Sequence, residues 1–223
     1  MLAVFDLDGT LIDSRAGLVI ASQRAYADAN IAYPGEAALL ATVGLLPEAM
    51  MQRLHPEHPG AVRQRLADLF RVHALALRNE QPDLEQPYPG VAQMLDAVME
   101  AGYTLAIATG KKRQGTDHAI DCFGWHGRFA SIQTAESGPG KPDPTLLRNA
   151  MAETGLGRDR AVMIGDSVFD MQMARSAGLT AVAVTWGYNP PNVLLDAGAQ
   201  HVVDGVAGIA PLLERLAAEM VVV

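Results

Sequence analysis

The sequence predicts an α/β fold, a parallel sheet with helices on both faces and an all-helical segment inserted after the first strand. Three observations predict it. Short apolar runs alternate with helical stretches from about residue 91 onward. Residues 15–81 break that rhythm and contain no convincing strand. Polar clusters follow several of the apolar runs, at the strand ends where open parallel sheets bind ligands.

The first element is Leu2-Ala3-Val4-Phe5, a buried strand that runs into Asp6-Leu7-Asp8-Gly9-Thr10. In the insert, Leu18, Ser22, Ala25, Tyr26 and Ala29 fall at helical spacing, as do Val62, Leu66, Leu69, Phe70, Ala74 and Leu77. About 67 residues of helix exceed what one crossover needs, so 15–81 reads as a helical cap on a core of 1–14 and 82–223. Gln81-Pro82 and Gln86-Pro87-Tyr88-Pro89-Gly90 punctuate its exit as a linker. Strands are then expected at 103–108, 129–134, 161–164 and 180–184, with a weaker sixth at His201-Val202-Val203. Helices are expected at about 91–101, 111–122, 144–154, 168–177 and 207–219. Together these make a Rossmann-like core. The closing Met220-Val-Val-Val223 has no assignment, and Trp125 and Trp186 read as core or rim residues.

Composition narrows the function classes. Of the 223 residues 49% are hydrophobic, enough for a full core and too many for a disordered chain. Aromatics at 5% and a net charge of −8 argue against nucleic acid as a partner. The one cysteine, Cys122, excludes an internal disulfide. The opening apolar run of five residues is too short for a signal peptide or a membrane span. A soluble, cytoplasmic protein is expected, with no membrane partner; its oligomeric state is left open.

Four clusters carry the chemistry: Asp6-Leu-Asp8-Gly-Thr10, Thr109-Gly110, Lys141-Pro-Asp-Pro, and Gly165-Asp166-Ser167 with Asp170. Asp6, Asp8 and Asp166 supply the hard oxygens that Mg²⁺ selects. A carboxylate beside a cation stays ionised and can attack phosphorus. Lys141 and the Thr109 hydroxyl supply a positive charge and a donor for phosphoryl oxygens, while Gly9 and Gly110 allow close backbone approach. Lysine is scarce, three against fourteen arginines, which makes the placement of Lys141 informative.

In this order the four clusters resemble the four motifs of the haloacid dehalogenase superfamily, over essentially the whole chain. The flanking Thr10-Leu-Ile-Asp-Ser14 and the helical insert resemble its phosphoglycolate phosphatase-like branch. The resemblance implies a Mg²⁺-dependent phosphatase for a small phosphorylated metabolite, working through an aspartyl-phosphate. It makes Asp6 the nucleophile and Asp8 the general acid/base, with Thr109, Gly110 and Lys141 holding the phosphoryl group. Asp6 and Asp166 would ligate the metal, Asp8 would reach it through its backbone carbonyl, and Asp170 would support them. Gly44-Leu-Leu-Pro-Glu-Ala-Met50 resembles the cap segment that faces such a site, and Arg53 just after it is a candidate for a substrate carboxylate.

Several relatives are separable by residues. The dehalogenases lack a counterpart of Asp8, and the phosphonoacetaldehyde-cleaving enzymes need a cap lysine that 15–81 does not contain. A sugar-phosphate mutase shares all four motifs, and pyrophosphate hydrolysis fits the same chemistry. A non-catalytic phospholigand-binding regulator would be expected to have lost Asp6, Asp8 or Lys141. Elsewhere, Asp13 and Ser14 read as helix caps, Lys111 and Lys112 as surface charges at a helix start, His73 as a core histidine, and His55 and His58 as loop residues.

Overall fold

The computed structural model describes the backbone of residues 1–221 and side chains through Glu219; Val222 and Val223, and the side chains of Met220 and Val221, lie outside it. The chain runs β1 (Leu2–Phe5), β2 (Ile12–Asp13), α1 (Arg15–Ala29), α2 (Glu36–Leu40), α3 (Pro47–Leu54) and α4 (Gly60–Glu80). It continues through β3 (Gln86–Pro87), α5 (Val91–Glu100), β4 (Thr104–Ala108), α6 (Arg113–Phe123), β5 (Phe129–Gln133) and α7 (Thr145–Thr154). Then follow β6 (Ala161–Gly165), α8 (Val168–Ala177), β7 (Thr180–Val184), α9 (Pro191–Ala197), β8 (His201–Val203) and α10 (Ile209–Val221). The described residues form a six-stranded sheet in the order β5-β4-β1-β6-β7-β8, every pairing parallel.

Alternation along β1 builds two cores at once, because successive side chains leave opposite faces of a strand. Ala3 and Phe5 pack with α5, α6 and α10, through Leu95, Ile120 and Leu213. Leu2 and Val4 pack with α7, α8 and α9, through Leu147, Met171 and Leu194. Strand order reverses around β1, whose two neighbours are β4 and β6, and the crevice at its carboxyl end is where such sheets hold ligands.

The expected strands all form, including the short β8. Two features departed from expectation. The stretch read as a linker contains β3, which pairs antiparallel with β2, Ile12 against Pro87 and Asp13 against Gln86. The two crossings into and out of the helical segment are thereby tied together. A two-residue strand containing proline carries no periodicity, so nothing in the sequence marks it. The second is α9, unforeseen because its seven residues are too short to show a helical repeat.

Leu39 of α2 packs with Leu45, with Met50 and with Phe169 of α8. Helices α1, α3 and α4 share a core of their own, with Ala21, Ala25 and Tyr26 of α1 against Met51 of α3 and Leu66, Phe70 and Leu77 of α4. His73 is not in it. Its Nε2 lies 2.8 Å from Asp28 Oδ2, at the solvent edge of the α1–α4 seam. A helical stripe places a position to within a residue of the seam, and an ion partner 45 positions away decides the rest. No helix of the described residues is long and apolar enough to cross a membrane.

Candidate active site

β1 delivers Asp6 to the crevice with only 2% of its surface exposed. Two further carboxylates meet it there. Asp166 follows β6, held by Thr10 Oγ1 (3.0 Å) and the Tyr188 backbone N–H (2.9 Å). Asp170 belongs to the first turn of α8, where it forms a capping box with Ser167. Its Oδ2 accepts from Ser167 N (3.1 Å) and Ser167 Oγ (2.6 Å), leaving Oδ1 free to face inward. Lys141 enters from the loop after β5, and its Nζ reaches Asp6 Oδ1 at 2.7 Å and Asp170 Oδ1 at 2.6 Å.

Glycines make this crowding feasible. A Cβ on Gly9, whose φ is +84°, would lie 2.3 Å from Asp166 Oδ2, and one on Gly187 would lie 2.2 Å from Asp166 Cβ.

Three buried carboxylates face one ammonium, and the electrostatics register the imbalance. Burial, then the charge of Asp170, pushes the Asp166 carboxyl up to about 7. The same two causes raise Asp6 well above the ordinary range, with Lys141 opposing them. Lys141 stays protonated, since its two carboxylates outweigh the cost of its burial. Asp6, Asp166 and Asp170 each place one oxygen within 4.8 Å of the others. An all-oxygen set with surplus negative charge suits a hard divalent cation, which would relieve the repulsion. Asp8 is not in this set. Expectation had given Asp170 only a supporting part, yet geometry sets it beside Asp6 and Asp166.

The Asp8 side chain turns toward the helical segment. Lys111 Nζ lies 2.8 Å from Asp8 Oδ1 and 3.1 Å from Glu85 Oε1. Burial raises the Asp8 carboxyl, but the Lys111 ammonium outweighs it and holds the group below its usual range. Lys111 is therefore no surface charge; its side chain is 6% exposed. Its partner 103 positions away is invisible in the sequence, and only the rarity of lysine could have flagged it. Lys112 does lie exposed at the start of α6. Thr109 Oγ1 accepts from the Lys111 backbone N–H at 3.1 Å, within the wall of the site.

A cavity of about 610 Å³ opens above Asp6 and Asp8, with Thr109 and Gly110 in its wall. Its roof is the Gly44–Met50 segment with α4. That segment touches three of the motif loops directly. A Cβ on Gly110 would meet the Gly44 carbonyl oxygen at 2.7 Å, one on Gly140 would meet Leu46 Cγ at 2.8 Å, and Gly44 itself abuts Ser167. Gly110 thus admits the roof, where sequence reasoning had reserved the space for a ligand.

Arg53, the candidate for a substrate carboxylate, is not among the residues lining this cavity; its guanidinium lies 5.5 Å from the centroid of the buried Phe169 ring. The arginines in the wall are Arg71 and Arg78, both from α4. Ser14 also differs from expectation. It precedes α1 without a side-chain cap, and its hydroxyl pairs instead with Tyr188 Oη at 3.1 Å. Asp13 Oδ1 accepts from Arg15 N. His55 is buried, with Nε2 2.7 Å from Tyr26 Oη and Nδ1 3.1 Å from Glu57; His58 Nε2 is 3.7 Å from the same carboxylate.

A sheet of this order with buried aspartates at its switch point defines a class of hydrolase fold, and the comparisons fix the family. The profile of the haloacid dehalogenase-like hydrolases matches residues 3–184, and the chain belongs to that family. A phosphoglycolate phosphatase of Agrobacterium fabrum is 34% identical, over 96% of this chain and 93% of its own. One from Mesorhizobium japonicum is 33% identical over 86% of each. Among solved structures, a hydrolase from Pseudomonas syringae superposes with a TM-score of 0.85 at 25% identity, covering 96% of this chain and 98% of that one.

Proposed function

We propose that the chain is a Mg²⁺-dependent phosphatase for a small, phosphoglycolate-like phosphomonoester, working through an aspartyl-phosphate on Asp6. The observation that carries the residue assignment is a buried Asp6 packed between Lys141 and two further carboxylates, beneath a cavity of small-molecule size.

Asp6 Oδ attacks phosphorus in line, forming the acyl phosphate as the ester P–O bond breaks. The leaving oxygen departs on the side of Asp8, which donates a proton to it in the minority of molecules whose Asp8 carboxyl is protonated, since Lys111 favours its ionised form. Asp8 then takes a proton from the water that splits the acyl phosphate, which returns Asp6 and frees inorganic phosphate. The second half suits Asp8 as it rests here, since a carboxylate kept ionised by Lys111 is a base. Lys141 and the Thr109 hydroxyl hold the phosphoryl oxygens. The Gly44–Met50 roof, part of a cap over 15–81, excludes bulk water. Mg²⁺, held by Asp6, Asp166 and Asp170 with the Asp8 carbonyl, would supply positive charge against the phosphoryl oxygens. A cytoplasmic setting is part of the same proposal; no helix of the described residues is long and apolar enough to cross a membrane.

Phosphate release from 2-phosphoglycolate tests this. Activity should require Mg²⁺, vanish with EDTA, and fall by at least about 10⁴-fold in Asp6→Asn, because the amide is a poor nucleophile. Undiminished turnover in EDTA, or by the asparagine variant, would overturn the assignment.

A further inference from the structure

Of the buried cations in the cavity wall, Arg78 is the most loosely paired among the described residues. Arg71 is held by Glu48 and by Asp68 (2.9 Å), and Lys111 by Asp8 and Glu85. Arg78, in the last turn of α4, has only a loose contact, its Nε 3.9 Å from Glu85 Oε1. That nitrogen is buried and, among the described residues, without a hydrogen-bond partner. The side chain is 18% exposed, so water does little to satisfy it. An arginine this enclosed and this poorly paired is costly unless something else enters to accept its hydrogen bonds.

Its position is also built for. The guanidinium lies flat on α6 at Gly115, where an added Cβ would come within 2.7 Å of Nη2 and 2.9 Å of Cζ. With one face covered by backbone, what remains is the planar fork, the geometry that grips a carboxylate through two parallel bonds. The fork joins the reacting centre through a continuous chain of charges. Arg78 meets Glu85, Glu85 meets Lys111, and Lys111 meets Asp8. In the reaction argued above, the leaving oxygen departs beside Asp8. Whatever is attached to that oxygen lies next to Lys111 and Arg78.

We propose that Arg78 is a specificity-determining residue that binds a carboxylate carried on the leaving group, one or two carbons from the ester oxygen. The proposal rests on the phosphatase reading and adds to it the residue that selects among phosphomonoesters. Because Arg78 belongs to the cap and Gly115 to the core, such a substrate would also bridge the two and favour the closed arrangement.

The test compares kcat/KM for 2-phosphoglycolate with that for ethyl phosphate, which keeps the ester and lacks the carboxylate, both with Mg²⁺. The wild type should prefer 2-phosphoglycolate. In Arg78→Gln the ratio of the two values should fall by about 10- to 100-fold, the usual worth of hydrogen bonds to a charged group. Arg78→Lys, which keeps the charge and loses the fork, should recover only part of it. A ratio, unlike a rate, is insensitive to a uniform loss from imperfect folding. A ratio in Arg78→Gln within about threefold of wild type would overturn the role of Arg78 and leave the phosphatase reading standing. A wild type inactive on both esters would overturn the phosphatase reading and, with it, this one.

Discussion

The floor of the site and its rim each contain a buried lysine between carboxylates, yet the chain builds the two in different ways. On the floor, Lys141 bridges Asp6 and Asp170, and all three side chains are within 2% of complete burial. On the rim, Lys111 bridges Asp8 and Glu85, whose side chains are 14% and 18% exposed. The floor is assembled from loops at strand ends, β1, β5 and β6, on a rigid sheet. The rim needs Glu85, which comes from the returning crossover tied down by β3, and it lies under α4 of the cap. A charge on the floor is fixed by the fold. A charge on the rim depends also on the helical segment and its returning crossover, which, on the proposed reading, suits a part of the site that must release the leaving group.

The largest expected effect that separates them is Lys141→Met. Removing this ammonium leaves three carboxylates uncompensated in a water-poor pocket. Turnover should fall by about 10²–10³-fold, as when other electrostatic contacts to a reacting group are lost. Metal-free stability at neutral pH should fall by about 3–5 kcal/mol, the cost of breaking a buried pair from one side. Urea unfolding monitored by circular dichroism reads the second number. A stability loss under about 1 kcal/mol would mean that the floor is as adaptable as the rim.

The pH dependence of stability sharpens the same contrast. The folded floor holds its protons more tightly than the unfolded chain, since Asp166 is raised from 3.8 to about 7 and Asp6 is raised as well. Between those limits the folded state binds more protons, so this contribution to stability is present at low pH and is lost as pH rises through about 7. A divalent cation competes with those protons. Mg²⁺ should therefore raise the Tm more at pH 7.5 than at pH 5. Calorimetry at the two pH values checks it, and an equal or larger shift at pH 5 would show that the acidic trio is not where the ion binds.

Floor and rim also differ in how far the sequence exposes them. Asp6, Thr109 and Asp166 each directly follow an apolar strand, and Lys141 follows one by a loop, so a local pattern places them at one edge of the sheet. Asp170 was legible only as the outlying member of the Gly165-Asp166-Ser167 cluster, and the structure adds that it caps α8 together with Ser167. The rim residues pair across 103 positions for Lys111 with Asp8 and 26 for Lys111 with Glu85, and no local pattern encodes that. Tyr188, whose N–H holds Asp166 and whose hydroxyl meets Ser14, follows no motif at all. Arg53 was chosen for its nearness in sequence to the Gly44–Met50 segment, whereas its guanidinium lies over Phe169, a partner 116 positions away that no local pattern encodes.

The smallest effect is expected from Lys111→Met, and it is the most discriminating. The pair is less completely buried than the one on the floor, so its loss should cost less stability than the about 3–5 kcal/mol expected for Lys141→Met. Its influence on catalysis should instead appear as a shift along the pH axis. Lys111 holds the Asp8 carboxyl below its ordinary value. Without that ammonium, Asp8 gains a proton at higher pH and is lost as a base sooner as the solution is acidified. The acid limb of the kcat profile for an alkyl phosphate should therefore move to higher pH, while the rate on its plateau falls by about tenfold. The floor predicts nothing of this kind for Lys111, because the side chain does not touch Asp6, Asp166 or Asp170. If the acid limb stays in place while stability drops by as much as in Lys141→Met, then Lys111 is a structural bridge like its counterpart. The rim would then be a second floor, fixed by the fold and indifferent to the state of Asp8.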